Sequence, residues 1–228
     1  NEGIAAAGAA LHYLSETQND RVGHITGVQR IEEDKFVWLD SFTVRNLELI
    51  YSPNENARTL LNVMDETISP MGSRMMKRWM VLPLKLPSLI EARHSVVEKM
   101  LEDQELAGQL KNELAKIGDL ERMISRVAVG KITPREVNQM KVALDALVPI
   151  RERCLKTENA ELHRIADQIN PCEKMRKRID NELLDDAPAA IGKGEVVANG
   201  VNEELDELRE ILGSGKSYLE AMRNREVE

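Results

Sequence analysis

The pair Ser69-Pro70 constrains this chain most, because it dictates where a helix begins. A serine oxygen can accept from the unpaired N–H groups of a first helical turn, and a proline at the first position forfeits an N–H that would lack a partner there anyway. Met71, Met75, Trp79 and Leu82 follow at helical spacing, joined by Met76 and Met80, while Arg74, Lys77 and Arg78 fall off that stripe. Pro83 and Pro87 stop the pattern. Just upstream, Leu60, Leu61 and Met64 give a short helix a small apolar face. Residues 58–84 are therefore expected to form a buried helix pair and packing hub, with Leu60, Leu61, Met64, Met71, Met75 and Trp79 as its structural core. A methionine-rich stripe of this kind is ordinarily core rather than a ligand groove.

Composition agrees with a helical protein built round such a hub. Of 228 residues, 31% are charged and only 3% aromatic. No apolar run nears the roughly 20 residues that a membrane span needs, and no signal-peptide pattern is present, so a soluble chain in a reducing cytoplasm is expected. Cys154 and Cys172 fall in separate expected helices without Cys-x-x-Cys spacing, which points to reduced thiols rather than structural zinc. The net charge of −8 argues against a general nucleic-acid coat, so any DNA contact is local or outside the chain. The first residue is Asn1 rather than Met, which suggests a piece of a longer protein.

Taken in order, Ala5 to Thr17 reads as an alanine-rich helix. His24 to Ile31 and Lys35 to Asp40 read as two short strands, with a turn at Glu32-Glu33-Asp34. Everything beyond Ser41 reads as mostly helical: Thr43 to Leu49, a helix capped by Ser88, Gln104 to Ile117, and one capped by Asp119 that ends at Gly130. Thr133-Pro134-Arg135-Glu136 is a capping box opening a helix to about Leu155, which Pro149 should kink. Asn159 to Ile169 and Pro171 to Leu184 read as two more helices. Residues 185–200 read as a loop with a short strand at Glu195 to Ala198, and Asn202 caps a last helix that Gly213, Ser214 and Gly215 should interrupt.

Several phrases, in order, carry a family resemblance. They are Ala6-Ala7-Gly8-Ala9-Ala10-Leu11-His12-Tyr13-Leu14, Asn46-Leu47-Glu48-Leu49, Thr59-Leu60-Leu61, and Thr67 to Trp79 with its Pro70-Met71-Gly72-Ser73-Arg74 centre. Asp119-Leu120-Glu121-Arg122 with Arg126 and Gly130 follows, then Ile191, Gly194 and Gly200 leading to Glu204-Leu205-Asp206-Glu207-Leu208-Arg209. Together they closely resemble the core domain of the bacterial MutS family of DNA mismatch-repair proteins. The resemblance implies a mainly α, multi-helix core/lever domain with a small β-hairpin near the N-terminus. It implies an entry helix at 1–18, the core at 19–190, and a lever segment at 191–228 leading toward a clamp outside the chain.

For the full-length relative, the resemblance implies a DNA-dependent ATPase that uses ATP and Mg. It also implies binding to mismatched duplex DNA, homodimerisation, the downstream repair protein MutL as partner, and work in the bacterial cytoplasm at the nucleoid. None of the family's functional residues maps onto this chain, so no catalytic, cofactor-binding or metal residue is expected in it. The chain is expected to be a non-enzymatic scaffold linking mismatched-DNA binding to the ATPase. Two rivals are the core of a MutS paralogue acting in recombination and a free-standing helical interaction module.

Four features could mimic chemistry. Gly213-Ser214-Gly215-Lys216-Ser217 ends like a phosphate-binding loop, but the position where the motif needs its first glycine holds Glu210, and a charged helix rather than a buried strand precedes it. His12, His24, His94 and His163 show no metal-ligand spacing. Asp185-Asp186 and Glu203-Glu204 read as solvated carboxylates. Lys174 to Arg178 is the best DNA-contact candidate by charge, but Glu173, Asp180 and Glu182 dilute its field, so a solvated helix face is the plainer reading.

Overall fold

Local capping signals decide most helix starts. A computed structural model describes residues 2–17, 25, 27, 32–54 and 56–226, without the side chains of 33 and 216–226. Eleven α-helices run among the described residues. The first six are α1 (Glu2–Glu16), α2 (Ser41–Asn46), α3 (Leu60–Met64), α4 (Pro70–Val81), α5 (Pro87–Glu102) and α6 (Gln104–Leu114). The rest are α7 (Leu120–Ala128), α8 (Pro134–Leu155), α9 (Ala160–Gln168), α10 (Glu173–Glu182) and α11 (Glu203–Glu226). Ser69 caps α4 by accepting from the Gly72 N–H, Asp119 caps α7, and Asn159 caps α9. At α8 the Thr133 and Glu136 side chains satisfy each other's backbone N–H groups, at 2.9 and 3.3 Å. Gly130, at φ 67, takes the left-handed turn that closes α7.

Pro87 does not stop a helix; it starts one. Leu86, not Ser88, is the residue before the first turn of α5, and Pro87 sits inside that turn, where its fixed φ suits the helix. Pro149 lies within α8, whose helical span runs on to Leu155. The expected interruption at Gly213-Ser214-Gly215 is also corrected: α11 is helical throughout Glu203–Glu226. Isolated glycines cost a helix only about 1 kcal/mol each, too little to break a 24-residue element.

The N-terminal β-hairpin is not seen. Most of its first arm lies outside the described residues, and no strand forms among the described ones. The expected second arm pairs elsewhere. Phe36 and Leu84 form a single antiparallel bridge, with the Val37 N–H donating to Pro83 O and the Lys85 N–H to Lys35 O, at 2.8 and 2.9 Å. Pro83, next to Leu84, has no N–H to donate to a longer ladder.

The chain divides into two compact units. The first comprises Asn1–Ile132 and Gln139–Cys172. Its core gathers on α8 and α9: Ala143, Ala146, Ile150 and Cys154 from α8, Leu162 and Ala166 from α9, and Ile117 from the turn after α6. Ala143 and Ala166 have no exposed surface at all. Small side chains let helices approach closely, and larger residues such as Val96 and Met100 of α5 fill in around them. A second cluster of Met123, Met140 and Leu144 extends this core along α7 and α8.

The packing hub is therefore α8, which corrects the expectation for residues 58–84. Met71 is half-buried against the α8–α9 cluster and Leu61 is half-buried. Leu60, Met64, Met75 and Trp79 are exposed, at 44, 51, 54 and 40%. Periodicity shows that a helix has an apolar face, not that the same chain covers it.

The second unit comprises Thr133–Asn138 and Glu173–Glu228. Leu183 and Val197 form one antiparallel bridge, flanked by the Leu184 N–H donating to Val196 O and the Ala198 N–H to Glu182 O, each at 2.9 Å. The Asn138 side-chain amide donates to Leu184 O at 2.6 Å and Asp185 O at 3.1 Å, tying the start of α8 to the end of that bridge.

Candidate functional site

The most structured surface feature surrounds α4. Its start is a knot of side-chain hydrogen bonds. Asp65 Oδ1 accepts from the Thr67 N–H and hydroxyl at 3.1 and 2.5 Å, and Oδ2 accepts from the Ser73 hydroxyl at 2.5 Å. These bonds, that from Ser73 foremost, hold the Asp65 carboxyl below its ordinary pKa. Gly72 is needed in this knot, because a Cβ there would lie 3.2 Å from both Ser69 Oγ and Thr67 Cβ. The Thr67 to Ser73 part of the phrase is thus closed by side-chain hydrogen bonds around a glycine.

The Asn46 to Leu49 phrase has a similar basis. Glu48 adopts φ 47, turning the chain after α2 so that the Leu60 and Leu61 N–H groups donate to Glu48 O and Leu49 O, at 3.1 and 2.9 Å. Leu49 and Thr59 are buried at that pairing. Thr59 then caps α3 in a box with Asn62.

Farther along α4, Arg74 grips the start of α7. Its Nη1 and Nη2 donate to the two Asp119 oxygens at 2.9 and 2.7 Å, and Nε donates to Glu121 Oε2 at 2.9 Å. The hydrogen bond from Arg74 is the main reason that the Asp119 carboxyl lies below its ordinary pKa. The Arg74 guanidinium is held above its own ordinary value, by Asp119 first and then Glu121. One turn on, Arg93 of α5 lies over the Trp79 ring with its guanidinium carbon 3.5 Å from the centroid. Burial lowers the Arg93 pKa. Between these pairs opens a cleft of about 560 Å³, floored by Phe36, Met75, Trp79 and Leu82 and edged by Arg78, Arg93 and Glu121. Of the six expected core residues, Met71, Met75 and Trp79 meet in this cleft, whereas Leu60, Leu61 and Met64 do not line it.

The other sequence features separate from it. Gly213 to Ser217 lies inside α11, so its backbone N–H groups are turned toward carbonyls one turn back instead of converging on a phosphate, and this stretch does not fit a nucleotide. The basic run lies on α10, where Lys177 pairs with Glu173 at 2.6 Å and Arg178 with Glu182 at 2.8 Å. His12 lies 3.4 Å from Glu16, one turn along α1.

One polar cluster was not singled out from sequence. Arg209 Nη2 donates to Val197 O at 2.8 Å and Nη1 donates to Asn199 Oδ1 at 2.9 Å, while Asp206 Oδ2 accepts from the Gly200 N–H at 2.7 Å. Gly200 sits at φ 82, and the two charged side chains stitch the start of α11 to the 195–200 segment. The signal was the Asp206-x-x-Arg209 spacing, one helical turn, within the quoted family phrase.

Comparison with known proteins places the chain in a family. Residues 42–225 match the family model described as MutS domain III. Relatives named DNA mismatch repair protein MutS include one from Flavobacterium johnsoniae, 50% identical over 227 residues, and one from Bacteroides thetaiotaomicron, 54% identical over 226. One from Cytophaga hutchinsonii is 47% identical over 227 residues. These alignments cover 99–100% of this chain but 26% of each of the first two relatives, so the chain spans about a quarter of their length. By the match of residues 42–225, most of its length, the chain belongs to the MutS domain III family.

Proposed function

We propose that the chain is a non-enzymatic core and lever segment of a DNA mismatch-repair ATPase. It carries a conformational signal between a site for mismatched duplex DNA and an ATPase domain, both outside residues 1–228. The observation that carries this reading is the match of residues 42–225 to MutS domain III. Identity of about half with mismatch-repair relatives along the whole chain favours it over a recombination paralogue or a free-standing module.

In this reading residues 1–18 form the junction with a connector, 19–190 the core, and 191–228 the lever toward a clamp. The full-length protein uses ATP and Mg in its ATPase domain, forms a homodimer, engages MutL and works in the bacterial cytoplasm. The helices suit a mechanical role. With 22 and 24 residues, α8 and α11 each run for about 33–36 Å at a rise of about 1.5 Å per residue. Long helices suit transmission of a signal between two states.

The test is made in the full-length protein. Ser214→Pro removes a helical N–H and clashes with the preceding turn, breaking α11 in its middle. Binding of mismatched duplex and basal ATP hydrolysis should persist, while stimulation of hydrolysis by mismatched DNA should be lost. Unchanged stimulation would overturn the lever role.

A further inference from the structure

Asn199 is the one asparagine of this chain that precedes a glycine. That dipeptide can react with itself. Only Cβ, Cα and the carbonyl carbon separate Asn199 Cγ from the Gly200 N, so attack of that nitrogen on Cγ closes a five-membered ring. An intramolecular attack of this kind has a high effective molarity. Glycine carries no side chain to obstruct its own nitrogen. At Gly200, chain neighbours aside, nothing lies within 4 Å of where a Cβ would stand.

The fold sets two further groups on this pair. The Gly200 N–H donates to Asp206 Oδ2 at 2.7 Å, within the reach that a general base needs. Asn199 Oδ1, the oxygen that gains negative charge on attack, accepts from Arg209 Nη1 at 2.9 Å, where an oxyanion donor belongs. Neither group is a loose surface side chain. Arg209 is anchored by Val197 O at 2.8 Å and Asp206 Oδ1 at 3.3 Å, and its side chain is only 18% exposed. Asp206 and Arg209 lie one turn apart near the start of α11, so the helix itself fixes their spacing. Gly200 holds its bend at φ 82, and both Asn199 and Gly200 are exposed to water.

We propose that Asn199-Gly200 is a self-modification site, with Asp206 as the base and Arg209 as the oxyanion donor. The Gly200 N attacks Asn199 Cγ while its proton passes to Asp206. The N–Cγ bond forms, and Arg209 holds the oxyanion. Collapse breaks the bond from Cγ to the side-chain nitrogen, which takes the proton from Asp206 and leaves as ammonia. The product is a succinimide, formed without oxidant or cofactor. Solvent water then adds to one of its two carbonyls. Opening at Cγ gives aspartate; opening at the main-chain carbonyl gives isoaspartate, whose main chain is one methylene longer. Either product replaces a neutral amide by a carboxylate beside Arg209, at the joint between the 195–200 segment and α11. The chemistry is independent of whether α11 acts as a lever.

The experiment incubates the full-length protein at physiological temperature and near-neutral pH, beside a synthetic peptide of residues 193–207. Peptide mapping by mass spectrometry follows the loss of asparagine at 199 and the gain of succinimide, aspartate and isoaspartate. Conversion in the folded protein should be about fivefold faster than in the peptide, or more. Asp206→Asn and Arg209→Met, which keep side-chain size, should each slow it by about fivefold or more. Loosening the segment alone would speed ring closure, so slowing marks the chemical role of the two side chains. A folded protein that converts no faster than the peptide would overturn the proposal, and so would either variant converting as fast as wild type or faster. The peptide comparison needs no variant, so it stands even where a substitution unfolds the protein.

Discussion

The guanidinium of Arg74 binds both carboxylate oxygens of Asp119 across 45 residues of sequence, at 2.9 and 2.7 Å. Asp119 meanwhile caps α7 by accepting from the Arg122 N–H at 3.3 Å. One carboxylate thus starts one helix and anchors another, joining two phrases that had looked independent in the sequence.

That clasp should be visible in the acid limb of stability. The folded-state pKa of Asp119 lies below its unfolded value, chiefly through the hydrogen bond from Arg74. Its contribution is therefore complete above the ordinary carboxylate pKa and is lost as pH falls through the lower folded value. Melting temperatures of wild type and Arg74→Ala should differ near neutrality and converge on acidification. Arg74→Lys should lie between them, because lysine keeps the charge but not the planar fork.

The shift of the hub from α4 to α8 makes a quantitative contrast. Ile150 is buried in the α8–α9 cluster, and Ile150→Ala should cost about 2–5 kcal/mol in urea unfolding. Trp79 is 40% exposed, so Trp79→Ala should cost only about 1–2 kcal/mol, part of it from the stacked Arg93. Equal losses would return Trp79 to the core.

Two helical glycines should respond with opposite signs. At Gly72 an added methyl meets Ser69 Oγ and Thr67 Cβ at 3.2 Å, so Gly72→Ala should lower stability by about 1–2 kcal/mol through the disrupted cap. At Gly108, inside α6, nothing lies within 4 Å, and Gly108→Ala should raise stability by about 0.5–1 kcal/mol. Thermal melts of the two variants check the pair.

Asn138 should matter more than a single polar residue usually does. It is buried, its amide serves two backbone carbonyls, and its Oδ1 has no hydrogen-bond partner. Asn138→Ala leaves the carbonyls of Leu184 and Asp185 without that donor and should cost about 1–3 kcal/mol. The loss should appear as faster amide exchange at Leu184 and Ala198, the N–H groups that flank the Leu183–Val197 bridge.

Elements governed by neighbours in sequence were legible before any tertiary structure. The caps at Ser69, Asp119 and Asn202 and the box at Thr133 act within one turn, so residue type and spacing suffice to place them. The family resemblance was legible from residue type and order alone, in phrases that lie mostly within helices and at their starts. The α4 cleft was half legible. Its apolar stripe could be read from periodicity, but its use as an open floor could not, because exposure depends on what packs opposite.

By itself, then, the sequence determined that this protein is helical, where most of its helices begin, and which family its phrases belong to. Only the tertiary structure decided that α8 rather than α4 is the hub, that Phe36 pairs with Leu84 instead of forming a hairpin arm, and that Arg74 meets Asp119. The physical reason is range. Capping and periodicity are local, whereas burial, strand pairing and ion pairing depend on segments tens of residues apart, whose meeting is set by how the whole chain excludes water.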